Sequence, residues 1–348
     1  MPHTLDKILT TWAGDDAAQK RAIATTIRQL AITAVKVGET VGQGAIGAAF
    51  TGHRGETNAA GDIQHDLDVH ADEMFIDAMR AAPVAVYASE ELDAPALLDS
   101  DAPLALAIDP LDGSSNIEVN LSIGTIFSIL PVIVGGANEL SASFLQPGRN
   151  QLAAGFFIYG PQLSLVLTLG DGVQIFTWSS SADAFILIHD HCAISPKTRE
   201  FAINASNYRH WDDAVQLYFD DCIKGGHGPR EDEFNMRWLA SLVADAYRIL
   251  IRGGVFLYPG DRRRGYSRGR LRLVYEAHPI AMIIEQAGGQ ATDAVNPILD
   301  LTATELHQRV PFVFGSTNEV ARIGRYHTMP STIADRAPLF GKRGLFRA

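Results

Sequence analysis

The chain has 348 residues, 47% of them hydrophobic and 20% charged, enough apolar material for a substantial core in one large or two moderate domains. A formal net charge of -11 argues against a nucleic-acid partner held by general electrostatics, and it would repel a phosphorylated substrate unless local arginines or metal ions reverse the field. Two cysteines, Cys192 and Cys222, are too few for a disulfide framework and lack zinc-site spacing. A reducing compartment is expected.

In chain order, residues 1–16 carry no basic segment followed by an apolar run, so no secretory signal is expected. Residues 17–37 place apolar side chains three and four apart and predict an amphipathic helix. A Gly-rich stretch, 38–61, predicts a mobile loop ending in the polar run Thr51–Asp62, and 66–82 predicts a helix. Short apolar runs at 84–88 and 104–108 have strand length, and each ends in carboxylates. Further strands are predicted at 124–134, 153–160, 163–170, 173–178 and 183–190.

Beyond Ser195-Pro196 the pattern turns helical at 211–223 and 237–254, then gives a strand at 255–259 and a helix at 274–289. The mixture predicts a layered α/β fold with a soft boundary near 195. The divisions are then 1–195, 196–335 and a tail, 336–348. No apolar stretch is long enough to span a membrane, and a soluble, cytoplasmic protein is expected.

The informative segment is Ala107-Ile-Asp-Pro-Leu-Asp-Gly-Ser-Ser-Asn116. An apolar strand delivers Asp109, Pro110 is expected to force a turn, and the turn returns Asp112 to the same side. Gly113 permits close backbone approach, and Ser114, Ser115 and Asn116 can start a helix whose N–H groups face an anion. A pair of carboxylates there suits a magnesium-bridged phosphate, because hard cations take oxygen ligands. The fragment D-x-x-D-G alone is a common solvated turn, but the full string behind a buried-type strand favours the metal reading.

Glu90 and Glu91 follow the strand 84–88 and repel each other unless a cation compensates; taken alone they read as a solvated pair. Glu276, in an otherwise apolar helix, either meets a cation or lies on its exposed stripe. Asp62 and Asp68 lie near the loop and could approach the site when it closes. The arginines 262, 263, 264, 268, 270 and 272 lack interleaved aromatics apart from Tyr266, so a sugar-phosphate pocket or subunit contact is favoured over nucleic acid. His189-Asp190-His191-Cys192 reads as a polar strand end.

At these residues the sequence resembles the fructose-1,6-bisphosphatase family, within the lithium-sensitive phosphatase superfamily that includes inositol monophosphatases. The string 109–116 is shared across the superfamily. Segments 61–69, 89–91, 237–259 and 269–289 carry the narrower likeness, which runs from about residue 20 to residue 330. The resemblance implies a layered α-β-α-β-α fold with two mixed sheets, Mg2+ (with Mn2+ as a substitute), and a homo-oligomer, a tetramer.

Residue by residue, it implies metal ligation by Glu90, Glu91, Asp109, Asp112, Glu276 and the Leu111 carbonyl. Asp68 and Glu91 match the pair that activates the attacking water, and Asp62 matches a carboxylate that joins on loop closure. Asp112, Gly113, Ser114, Ser115 and Asn116 match the 1-phosphate cradle. Asn204, Tyr208, Arg237, Tyr258, Arg270 and Arg272 match the sugar and 6-phosphate site, with Arg237 reaching the neighbouring subunit. The implied reaction is hydrolysis of the 1-phosphate of fructose 1,6-bisphosphate.

Four departures stand out. Arg270 replaces a frequent lysine and Trp238 a frequent tyrosine, leaving room for sedoheptulose 1,7-bisphosphate. Pro103 and Leu104 replace the Lys-Tyr pair of AMP-regulated members, so weak AMP inhibition is expected. The cysteine-bearing insertion of chloroplast members is missing, so no thiol switch is expected.

Overall fold

The computed structural model describes residues 3–14, 17–43, 66–133 and 140–329. Helix α1 (Leu5–Ala13) begins where the Thr4 hydroxyl accepts from the Lys7 N–H at 3.3 Å. Helix α2 (Ala18–Val41) buries Ile23, Ile27, Leu30, Ala34 and Val37, the stripe its periodicity predicts, and runs four residues past the expected end. Helix α3 spans Asp66–Met79. The predicted loop therefore begins later than residue 38, and Thr51–Asp62 and the tail 336–348 lie outside the described residues.

These helices cover one face of an eight-stranded mixed sheet. Its strands are β1 (Val84–Ser89), β2 (Ala96–Leu97), β3 (Leu104–Asp112), β4 (Ile123–Pro131), β5 (Ala153–Tyr159), β6 (Leu163–Thr168), β7 (Gln174–Ser179) and β8 (Ala184–His189), in spatial order 2-1-3-4-5-6-7-8. Only the β1–β3 pair of this sheet is parallel. Along β3, Leu104, Leu106 and Ile108 enter the core shared with α1–α3, while Ala105 and Ala107 enter the inner core. The period of two thus feeds two cores from one strand, which explains why it reads as a continuous apolar run.

The second sheet has the order 10-9-11-15-13 and is also mixed. It comprises β9 (Glu200–Ala202), β10 (Asn235–Met236), β11 (Val255–Tyr258), β13 (Gln290–Thr292) and β15 (Phe312–Gly315); β12 (Leu271–Arg272) and β14 (Arg309–Val310) form a separate ladder. Helix α4 (Asp213–Ile223) and a C-terminal helix α7 (Thr317–Thr328) share its outer core with Phe201, Val255, Leu257 and Val313. Between the sheets lie α5 (Leu242–Arg252) and α6 (His278–Gln286), buried in one core with residues of both. The layers are α-β-α-β-α, as the resemblance implies. The segments on either side of residue 195 meet in this continuous inner core.

Local chemistry moves several predicted ends. Asp212 caps the Val215 N–H at 2.9 Å, so α4 starts at 213 rather than 211. Ser241 accepts from the Ala244 N–H at 3.4 Å, so α5 starts at 242 and the chain from 237 is not helical. Helix α6 is preceded by a π-helical turn, Leu273–Ala277, where a plain helix is predicted.

Candidate active site

The DPLDG segment is a β-bulge, not the expected turn. Asp109 pairs with Ile126 and Asp112 with Gly124, so three steps on β3 oppose two on β4. A regular strand would point residues three apart to opposite faces; the extra residue restores both carboxylates to one side. Pro110 fits because a bulge tolerates a missing N–H, and its carbonyl accepts from the Thr125 hydroxyl at 2.8 Å. Gly113 follows with φ 79°, a left-handed conformation that favours glycine. The expected helix start at Ser114–Asn116 is a single 3₁₀ turn, anchored by Asn116 Nδ2 donating to the Ala240 carbonyl at 2.7 Å. Ser115 is exposed, whereas Asn116 is buried.

The π-turn brings Glu276 to the same place. Carboxylate oxygens of Asp109, Asp112 and Glu276 lie within 4.8 Å of one another, and all three residues are buried. Asp109 Oδ1 accepts from the Leu111 N–H at 3.0 Å, and Asp112 Oδ2 accepts from the Val243 N–H at 3.2 Å. The Arg272 N–H donates to Glu276, and the Arg272 guanidinium lies 3.0 Å from Glu90. The open alternative for Glu276 is thereby decided: it faces the acidic cluster, not solvent.

Burial, then the charges of Glu90, Asp112 and Glu276, push Asp109 well above the usual carboxylate range. Burial, then Glu90, does the same for Glu276 against the opposing pull of Arg272. Asp112 is raised to about 7, mainly by burial, with the Val243 N–H pulling the other way. Such a cluster is strained as it stands, and an all-oxygen, multiply anionic donor set suits a hard divalent cation. The residues fit the metal the sequence implies.

Asp68 is buried on α3, and Glu91 follows Glu90 off the end of β1, with its N–H on the Ser89 hydroxyl at 3.2 Å. Asp62 lies outside the described residues.

Of the other predicted residues, Asn204, Tyr258 and Arg270 line one cleft, together with Asn207, Asp261, Arg263 and Tyr266. Residues 270–272 link this cleft to the carboxylates: Arg270 lines the cleft, and Arg272, in the two-residue β12, contacts Glu276 and Glu90. Burial pushes the Tyr258 hydroxyl up, nearby Arg270 pulls it down, and the charge of Glu276 adds to the rise. The guanidiniums of Arg263 and Arg270 lie 4.6 and 5.2 Å from the Tyr266 ring centroid.

Tyr208 is not among the lining residues; its hydroxyl donates to Asp220 at 3.0 Å, and Asn207 takes a place in the cleft. Arg237 is exposed beyond β10, 3.8 Å from Glu200, and also does not line the cleft. The Trp238 ring stacks on Phe256 at 5.5 Å and packs against Tyr258. The sequence pointed to Arg263 and Tyr266 only through the arginine run, and it did not point to Asn207 at all. It gave no sign that Val243 would hold Asp112.

Comparison with known proteins places this geometry. The family described as fructose-1-6-bisphosphatase, N-terminal domain, matches residues 4–190, and its C-terminal domain matches residues 194–328. The class 1 fructose-1,6-bisphosphatase of Rhizobium meliloti is 60% identical over 338 residues, covering 97% of this chain and 96% of the relative. That of Sinorhizobium medicae is 58% identical and covers 99% of both chains. The crystal structure of Leishmania major fructose-1,6-bisphosphatase in holo form superposes with a TM-score of 0.87 at 30% identity, covering 94% of this chain and 99% of that one.

Proposed function

The chain belongs to the fructose-1,6-bisphosphatase family and is a phosphoric monoester hydrolase, and from that premise we propose that it removes the 1-phosphate of fructose 1,6-bisphosphate with magnesium as the working metal. The observation that carries this reading is the pairing of two sites by residues 270–272: a buried carboxylate cluster beside Arg272 and an arginine-lined cleft at Arg270. A bisphosphate needs both, whereas an inositol monophosphate needs only the first.

Glu90, Asp109, Asp112 and Glu276 would hold divalent ions, with Glu91 and the Leu111 carbonyl completing the set. Bound there, such ions supply Lewis acidity and neutralise charge on the phosphate. The chain's own residues bind, orient and move the proton. Gly113, Ser114, Ser115 and Asn116 cradle the 1-phosphate. Asn204, Tyr258, Arg270 and Arg272 hold the sugar and 6-phosphate. Asp68 and Glu91 accept the proton of the attacking water, with Asp62 joining on closure. No covalent nucleophile is required. Arg237 is exposed and outside its own cleft, which supports the reading that it serves a neighbouring copy in a homotetramer. Among the described residues no helix is long and apolar enough to cross a membrane, and a cytoplasmic role in gluconeogenesis or the Calvin cycle fits.

A second substrate, sedoheptulose 1,7-bisphosphate, is favoured by one observation. The Trp238 ring is held against Phe256 and cannot supply a hydroxyl, leaving anion contacts in the cleft to its arginines, of which Arg270 reaches further than a lysine would. Phosphate release from both bisphosphates and from inositol monophosphate, with and without magnesium, tests the reading. Magnesium-dependent turnover of the bisphosphates alone supports it; turnover of inositol monophosphate alone refutes the substrate assignment.

A further inference from the structure

Behind the carboxylate cluster lies a buried polar link that the proposed mechanism does not use. Asp72 sits one helical turn after Asp68 on α3, and both are 5% exposed, so they share the face turned to the sheet. The Tyr87 hydroxyl donates to Asp72 Oδ1 at 2.7 Å, and the Ser89 hydroxyl lies beside the same carboxylate. Both partners are on β1 and both are fully buried. Ser89 Oγ in turn accepts from the Glu91 N–H at 3.2 Å, while the Glu90 N–H donates to the Ile108 carbonyl on β3 at 3.1 Å.

A carboxylate accepts but cannot donate, and these two hydroxyls both converge on it. Stability alone does not call for this arrangement, since an apolar side chain at such a site usually packs without the desolvation cost. What a bonded carboxylate adds is register: apolar surfaces slide, while directional bonds fix one helix rotation against one strand end.

We propose that Asp72 is a positioning residue, which through Tyr87 and Ser89 locks the rotation of α3 and the exit of β1 so that Asp68 and Glu91 face the same point. The inference rests on the reading that Asp68 and Glu91 act on the attacking water. Freed from the link, helix and strand end would each keep their fold while the two carboxylates lose their mutual aim. Misplacement of that kind lowers the rate of the chemical step more than substrate binding.

The test measures magnesium-dependent phosphate release from fructose 1,6-bisphosphate by Asp72→Asn, Ser89→Ala, Ser89→Thr and Asp68→Asn. Asp72→Asn keeps the shape but removes the charge and replaces one accepting oxygen with a donating amide. Expected is a fall in kcat of about 10–100-fold, with KM within about threefold of the parent, as for other outer hydrogen-bond partners of a site. Ser89→Ala should fall similarly, the double variant no further than either single, and Ser89→Thr should recover most of the rate. Ser89→Ala removes a single hydroxyl and carries the test should Asp72→Asn unfold. Parental kcat in Asp72→Asn or Ser89→Ala overturns the proposal, as does a rise in KM equal to the fall in kcat. Activity surviving in Asp68→Asn overturns the underlying reading instead.

Discussion

Replacing Asp112 by Asn should stabilise the metal-free protein while abolishing its activity. The Asp112 carboxyl is raised from 3.8 to about 7 by burial and by Glu90. Its folded pKa lies above the unfolded one, so between those values the folded state keeps a proton that the unfolded chain has released. Stability from this group is therefore lost as pH rises through that window and stays low above it. At about 1.4 kcal/mol per unit, the full difference is about 4 kcal/mol at pH 8 and about a third of that at pH 5. Asn at 112 cannot ionise and can still accept from the Val243 N–H.

The assay is urea unfolding in a chelator at pH 5 and pH 8, read as variant minus parent. That difference cancels groups that titrate the other way, such as buried His278, which is lowered to about 4. The advantage of Asp112→Asn should grow by roughly 3 kcal/mol from pH 5 to pH 8. Millimolar magnesium should then stabilise the parent and leave the variant little changed. A pH-independent difference, or a variant less stable than its parent at pH 8, would refute the reasoning.

Five further outcomes are expected. Arg230 and Glu319 form a buried pair at 2.6 Å, so Arg230→Met should cost about 3–5 kcal/mol in urea unfolding, partly restored by adding Glu319→Gln. Gly124 pairs with Asp112 across the bulge, and a Cβ there would lie 2.7 Å from Val243 and press on the Phe157 carbonyl; Gly124→Ala should lose about 1–3 kcal/mol and most activity. Arg270→Ala should raise KM for fructose 1,6-bisphosphate about tenfold or more yet leave turnover of p-nitrophenyl phosphate nearly unchanged, consistent with about 1.5–3 kcal/mol for a charged hydrogen bond. AMP should inhibit weakly in a rate assay, because Leu104 is fully buried at the start of β3 and offers it no polar group.

Free Cys192 packs against the inner core and Cys222 lies in the outer one, so dithiothreitol should leave the rate unchanged.

What the sequence determined by itself was local. Apolar period set α2 and α3, and apolar runs of strand length set the strands of the first sheet except the two-residue β2, because each such element buries a stripe or face that neighbouring residues encode directly. The string 107–116 named its two carboxylates without knowing how they meet. Short pieces escaped: β9, β10 and β12–β15 are two to four residues long, and so few positions hold no detectable period. Helices α1 and α7 went unremarked.

Only the tertiary structure decided the site. That Asp109 and Asp112 share a side depends on pairing with β4, since the bulge exists only against a partner strand. That Glu276 faces the cluster depends on the π-turn and on β12, 160 residues along the chain. Tyr208 yielding its place to Asn207, and Asp72 tying α3 to β1, likewise follow from packing between segments distant in sequence. A carboxylate's neighbours along the chain tell its chemistry; its charge state and partners belong to whatever the fold brings within hydrogen-bond reach.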